Sequence, residues 1–376
     1  MAPVEPWKKV LVDRAFLETD HGEISCRNCH KGDETASDMA DAHKELTPDP
    51  TYPDATTACA ECHEDISEPA KVSLHYTLAT YKPMIHARSS QNPAVLAKIS
   101  AAMENHCYTC HSSCGQCHVS RPNSVDGGLV AGHKFIKKPS MTEQCTACHG
   151  SRIGNEYLGK TGLGDVHYTR KSMDCMACHG AEEIHGDGKT GHRDRYQAAG
   201  LPACKDCHPS DGGIEQHTIH GDTIQCQVCH SQPYANCFAC HVGKDSKGLV
   251  YFKNLKEAET LKIGLNPYRD KDRPYKWVLL RRVPVAPETF GYYVKDAMTN
   301  FDALPTWKYT SPHNIQRRTS RNRKCDNCHG NTRLFLTEKD VERPKANSKV
   351  LVPADQIPKQ IGKPGEKKKK KRKGYF

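Results

Sequence analysis

No run of this 376-residue chain approaches the roughly 20 apolar residues that a bilayer-spanning helix needs. The opening stretch, MAPVEPWKKVLVDRAF, lacks the continuous apolar segment of a secretory leader. Material for a conventional core is scarce as well. Hydrophobic residues make up 36% of the chain, with three tryptophans and eight phenylalanines, and the mean hydropathy is −0.73. Such a composition excludes a membrane-embedded bundle and argues against a large domain held together by side-chain burial alone. No cysteine stands alone, so an isolated thiol nucleophile is excluded. Neither a paired-carboxylate nor a Ser-His-Asp constellation stands out.

What the chain has is 20 cysteines, every one in a Cys-x-x-Cys pair. In chain order these are Cys26/Cys29, Cys59/Cys62, Cys107/Cys110, Cys114/Cys117, Cys145/Cys148, Cys175/Cys178, Cys204/Cys207, Cys226/Cys229, Cys237/Cys240 and Cys325/Cys328. A histidine follows each pair at once: His30, His63, His111, His118, His149, His179, His208, His230, His241 and His329. Histidine is 22 of 376 residues, so ten such placements by chance have odds on the order of one in 10¹². Cys-x-x-Cys-His is the attachment signature of c-type haem. Two thiols add across the vinyl groups and the adjacent histidine supplies the proximal iron ligand. Structural zinc would group the pairs two by two and would not require His after each second Cys. A disulfide framework would not repeat a two-residue gap ten times. The motifs, numbered first to tenth in chain order, therefore predict ten covalently bound haems c.

Ten haems change how charge and folding are read. The formal net charge is +10. A ferric haem with two histidine ligands and both propionates ionised contributes roughly −1. The basic excess is thus mainly counter-charge, and nucleic acid is not an expected partner. Residues 1–241 hold nine motifs, too dense for a separate apolar core, so porphyrins are expected to supply the buried surface. The expected fold is mostly irregular, with short α-helices around a stack of haems and a small β element in a haem-free insertion. The divisions are 1–241 (nine-haem region), 242–312 (haem-free insertion), 313–345 (tenth-haem region) and 346–376 (Pro/Lys-rich basic tail). One helix is expected after Asn92, with Val95, Leu96, Ile99, Ala102 and Met103 on one face, packed on a haem or a neighbouring helix. Within the insertion, KWVLLRRVPVAPETFGYYV (276–294) reads as a two-stranded element broken by Pro284 and Pro287. After about residue 340 the composition suggests an extended arm. The cations Lys367–Lys371, Arg372 and Lys373 read as a solvated end, or as a contact for an anionic partner or membrane surface. Arg317, Arg318, Arg321, Arg323 and Lys324, ahead of the tenth motif, read as propionate partners or as a basic docking rim.

Twelve histidines remain for the second axial position: His21, His43, His75, His86, His106, His133, His167, His185, His192, His217, His220 and His313. All ten irons can therefore be bis-histidine, with two histidines to spare. His133, His192 and His313 each precede a motif's first cysteine by twelve residues. In CYTCHSSCGQCH (107–118) only Ser112 and Ser113 separate the third and fourth motifs, which predicts a near-contact haem pair. The eighth and ninth motifs predict another.

The ten motifs resemble those of multihaem c-type cytochromes of respiratory and extracellular electron transfer, including decahaem conduits and filament-forming cytochromes. The resemblance implies bis-histidine ligation, alternating stacked and T-shaped haem pairs and an extracytoplasmic, periplasmic or cell-surface location. Haem attachment is ordinarily completed outside the cytoplasm, so an export signal is expected outside this numbering. Three readings follow. One is an electron conduit or respiratory-complex subunit, passing electrons to other redox proteins. Another is a filament subunit that polymerises with copies of itself. The third is a reductase of a small nitrogen or sulfur oxyanion. Against the third, no motif ends in lysine, the mark of the open haem in ammonia-forming nitrite reductases.

Overall fold

The computed structural model describes residues 4–51, 56–110, 112–160, 162–189, 195–209, 213–233, 235–258, 260–283 and 286–361. The chain is largely irregular, with many short helical turns and two small antiparallel sheets. Motifs build the turns. Cys26–His30, Cys114–His118 and Cys226–His230 are each one α-helical turn. Cys175–Ala177, Cys204–Asp206 and Cys325–Asn327 are 3-10 turns. In the second, sixth, seventh and tenth motifs the histidine N–H donates to the carbonyl of the first cysteine at 2.9–3.0 Å. A helical turn puts residues i, i+3 and i+4 on one face, as attachment and ligation at a single haem require. Ser25 and Ser113 cap two of the turns, accepting from Arg27 N and Gln116 N. The ninth motif departs from this pattern. It lies in strand β1 (Ala235–Lys244), paired with β2 (Val250–Ala258) through a register shift between Phe238 and His241.

Among the described residues only the helix Pro93–His106 exceeds eight residues, and none is long and apolar enough to cross a membrane. Asn92 caps it and Pro93 opens it, as expected. Its stripe of Ile99, Ala102 and Met103 is fully buried. The stripe packs on Val242, Phe290, Ala297 and Met298 of the insertion, with Ile85 of the neighbouring helix Tyr81–Arg88 against the same cluster.

The second sheet corrects the expected pairing. Trp277–Arg282 (β4) is a strand, but it does not pair with the segment after Pro284. It is the centre of a three-stranded sheet between β3 (Leu261–Leu265) and β5 (Trp307–Tyr309). Alternate residues bury both its faces. Val278 and Leu280 meet Trp307, Tyr309, Leu336 and Leu351, while Trp277 and Leu279 meet Val228, Ile263, Phe335 and Val352. Val350, Leu351 and Val352 thus belong to the core. Val350 O accepts from Leu265 N at 3.0 Å, and Val352 N donates to Leu336 O at 2.8 Å. The arm expected from composition is packed through Val350–Val352, with Ile357 against the same core, while most of residues 353–361 are exposed. The lysine run lies outside the described residues.

Buried apolar side chains are unevenly spread. Of 22 among the described residues, five (Ile99, Ala102, Met103, Val119 and Val228) lie in 1–241, and the other seventeen in 242–352. The chain exposes 24086 Å², where a compact protein of 41.9 kDa exposes about 15,000 Å². Among the described residues, the nine-motif region buries little apolar side chain of its own.

Candidate functional site

Eight motif histidines face a histidine from elsewhere in the chain. The pairs are His63–His21, His30–His133, His149–His75, His118–His185, His208–His167, His179–His313, His230–His217 and His329–His220. Their ring centres are 5.9–6.2 Å apart. An imidazole nitrogen binds a first-row metal at about 2.0 Å, which places two rings on opposite sides of one ion roughly 6 Å apart, centre to centre. Direct contact between imidazoles would bring them closer. The spacing fits an iron between each pair. Among the described residues no group of three or more His, Cys, Asp or Glu gathers as a zinc centre would require.

Each ring also needs the right nitrogen free. His30, His118, His230 and His329 direct Nδ1 at the carbonyls of Thr47, Ile136, Gln316 and Lys359, at 2.9, 2.7, 3.0 and 3.3 Å. His220 Nδ1 meets Gln216 O at 2.8 Å, His167 Nδ1 meets Asp165 at 2.8 Å, and His179 Nδ1 meets Glu183 at 2.7 Å. Proton donation from Nδ1 fixes the tautomer and leaves the Nε2 lone pair for a metal. Burial, as the main cause, holds His21, His75, His133 and His185 below the ordinary histidine range, favouring the neutral, ligating form.

His133 is delivered by an unusual turn. Ala131, Gly132 and His133 have φ of 46°, 64° and 77°. A Cβ on Gly132 would lie 2.6 Å from Asp13 Cβ, so glycine is required there. Left-handed backbone at two non-glycine residues costs on the order of 1–2 kcal/mol each and is kept where a side chain must be aimed.

The pairing does not follow sequence proximity. His133, twelve residues before the fifth motif, faces the first, and His313, twelve before the tenth, faces the sixth. Of the eight, only His217 serves the motif next after it. Among the other candidates, His86 Nε2 is 3.4 Å from Ser100 Oγ, and His106 Nε2 is 2.6 Å from the Tyr293 hydroxyl. His43 is exposed. His111 and His192 lie outside the described residues.

Thiols of different motifs approach one another. Cys59 is hydrogen-bonded to Cys114, Cys110 to Cys148, Cys145 to Cys175, and Cys204 to Cys226. Cys29 lies within electrostatic range of Cys62, Cys117 of Cys145, Cys178 of Cys207, and Cys229 of Cys328. Together these trace a path through motifs one, two, four, five, six, seven, eight and ten, with the third joining at the fifth. The adjacent third and fourth motifs turn Cys110 and Cys114 to different partners. Side chains of Cys237 and Cys240 lie outside the description.

Sequence reading missed two ties that hold this path to the sheet. Gln225, beside the eighth motif, accepts from Leu279 N at 2.8 Å and donates to the Tyr309 hydroxyl and Thr310 O at 3.2 Å. Arg321, expected as a propionate partner or in a basic rim, turns inward onto the main chain. Its guanidinium donates to Val228 O at 2.5 Å, to Ser231 Oγ at 2.9 Å and to Ser231 O. It clamps the approach to the tenth motif onto the eighth. Arg317, Arg318, Arg323 and Lys324 stay exposed. Arg321→Ala should cost about 2–4 kcal/mol by orphaning these acceptors, measured by chemical denaturation, whereas Arg323→Ala should change stability by less than about 0.5 kcal/mol.

No family model, curated protein or solved structure matched the chain.

Proposed function

We propose that this chain is a ten-haem c-type cytochrome that conducts electrons through closely spaced bis-histidine sites outside the cytoplasm. The observation that carries the reading is the set of eight histidine pairs at 5.9–6.2 Å, each with one ring from a Cys-x-x-Cys-His motif. Haem iron supplies reversible one-electron exchange between ferric and ferrous states. The chain's residues do the rest. Motif cysteines would tether each group, each motif histidine would ligate its iron, and at eight sites the facing histidine would be a second ligand that keeps small molecules away. Carbonyl and carboxylate partners at Nδ1 lock the rings so that ligation changes little with redox state.

At the eight paired sites two facing histidines favour conduction over oxyanion reduction, since catalytic metals keep a position open. The path of neighbouring thiols runs from the first motif to the tenth. Its two ends would exchange electrons with a redox protein or with another copy of the chain.

The test is haem content and spin state of the purified protein. Pyridine haemochrome analysis should return about ten haems per chain, and the ferric spectrum should be low-spin. A count of eight or fewer, or a strong high-spin band, contradicts the reading.

A further inference from the structure

The partners of the axial histidines are not uniform. At the first, fourth, eighth and tenth motifs the ring nitrogens meet main-chain carbonyls of Thr47, Ile136, Gln316 and Lys359. Carboxylates replace them at the sixth and seventh. His179 Nδ1 donates to Glu183 Oε2 at 2.7 Å, four residues on. Its opposite ring, His313, has Nδ1 3.7 Å from Oε1 of Glu156, which is 2% exposed in its side chain. His313 Nδ1 and Glu156 Oε2 are both buried with no hydrogen-bond partner. At the seventh motif, His167 opposite His208 donates Nδ1 to Asp165 Oδ1 at 2.8 Å, and Asp165 is also 2% exposed. The two sites are neighbours, since Cys178 lies within electrostatic range of Cys207.

We infer that Glu183, Glu156 and Asp165 are positioning residues that make the sixth and seventh haems the lowest-potential pair of the array. This rests on the haem reading above. An ionised carboxylate is a stronger acceptor than an amide carbonyl. It polarises the N–H bond, makes the imidazole a stronger donor at Nε2, and favours ferric over ferrous iron. Its negative charge, poorly screened where it is buried, acts in the same direction. The consequence is a central step. In a partly reduced molecule electrons settle on the first, fourth, eighth and tenth sites before the sixth and seventh. Crossing between these groups moves one electron at a time from a ferrous to a neighbouring ferric site, with no bond made and no proton leaving Nδ1.

Spectroelectrochemical titration of the haem-loaded protein tests this, with Glu183→Gln, Glu156→Gln and Asp165→Asn compared with wild type. Glu183→Gln should move about one tenth of the reduced-minus-oxidised absorbance from the lowest-potential wave to higher potential. Glu156→Gln should move the same tenth, so the double variant displaces that tenth further without adding another. Asp165→Asn should move a second tenth. Asp165 also caps the helix Val166–Lys171 and accepts from Ile315 N; if that variant misfolds, the two glutamates decide. Glu182→Gln makes the same charge change on the exposed side of the helix bearing Glu183 and should leave the titration unchanged. Full haem content with curves of Glu183→Gln and Glu156→Gln superimposed on wild type overturns the inference alone, as does an equal shift in Glu182→Gln. Samples without covalent haem overturn the underlying reading and this inference together.

Discussion

The polypeptide produced without haem is expected to lack a cooperative unfolding transition across its first 241 residues. Five buried apolar side chains serve that region among the described residues. So few buried side chains do not offset the conformational entropy of ordering the region, and hydrogen bonds within single helical turns add little net stability. Residues 261–352 differ, since most buried apolar side chains gather on both faces of β4. Far-UV circular dichroism and amide exchange should therefore show a largely disordered haem-free chain, with protection confined to that segment. Native-like exchange protection around the motifs without haem would show that the polypeptide supplies its own core.

Replacing His75 by alanine is expected to convert about one tenth of the haem from low-spin to high-spin. His75 faces His149 across 6.2 Å. The vacated position should bind added imidazole or carbon monoxide, with imidazole restoring the low-spin spectrum. His133→Ala should open the first site in the same way. A low-spin spectrum identical to wild type in both variants would mean these rings do not ligate iron.

The motifs were readable in the sequence because their geometry is local: Cys at i and i+3 and His at i+4 share a face of any helical turn. The histidines that face the motif histidines were readable as a set but not as pairs. His313 reaches His179 across 134 residues because Glu156 and Asp165 anchor the 313–315 segment through the N–H groups of His313 and Ile315. Nothing within twelve residues of His313 records that. The same limit explains β4. WVLLRR carries a strand's composition, but its neighbours are chosen by Leu261–Leu265 and Trp307–Tyr309, which are remote in sequence. Val350–Val352 is too short an apolar run to show a period within a Lys- and Pro-rich tail. Arg321 looked like its exposed neighbours because burial is a property of the fold, not of a charge cluster.

Low-temperature electron paramagnetic resonance of the fully oxidised protein tests the paired histidines most directly. Ring planes are near-parallel in three pairs, at 23°, 26° and 28° (His21–His63, His179–His313 and His118–His185), and crossed at 55–74° in the other five. Near-parallel imidazoles give rhombic low-spin ferric signals, and crossed ones give strongly anisotropic low-spin signals. Both classes should appear, with the anisotropic class the larger. A spectrum dominated by high-spin ferric haem, or one with no haem signal, would contradict the account.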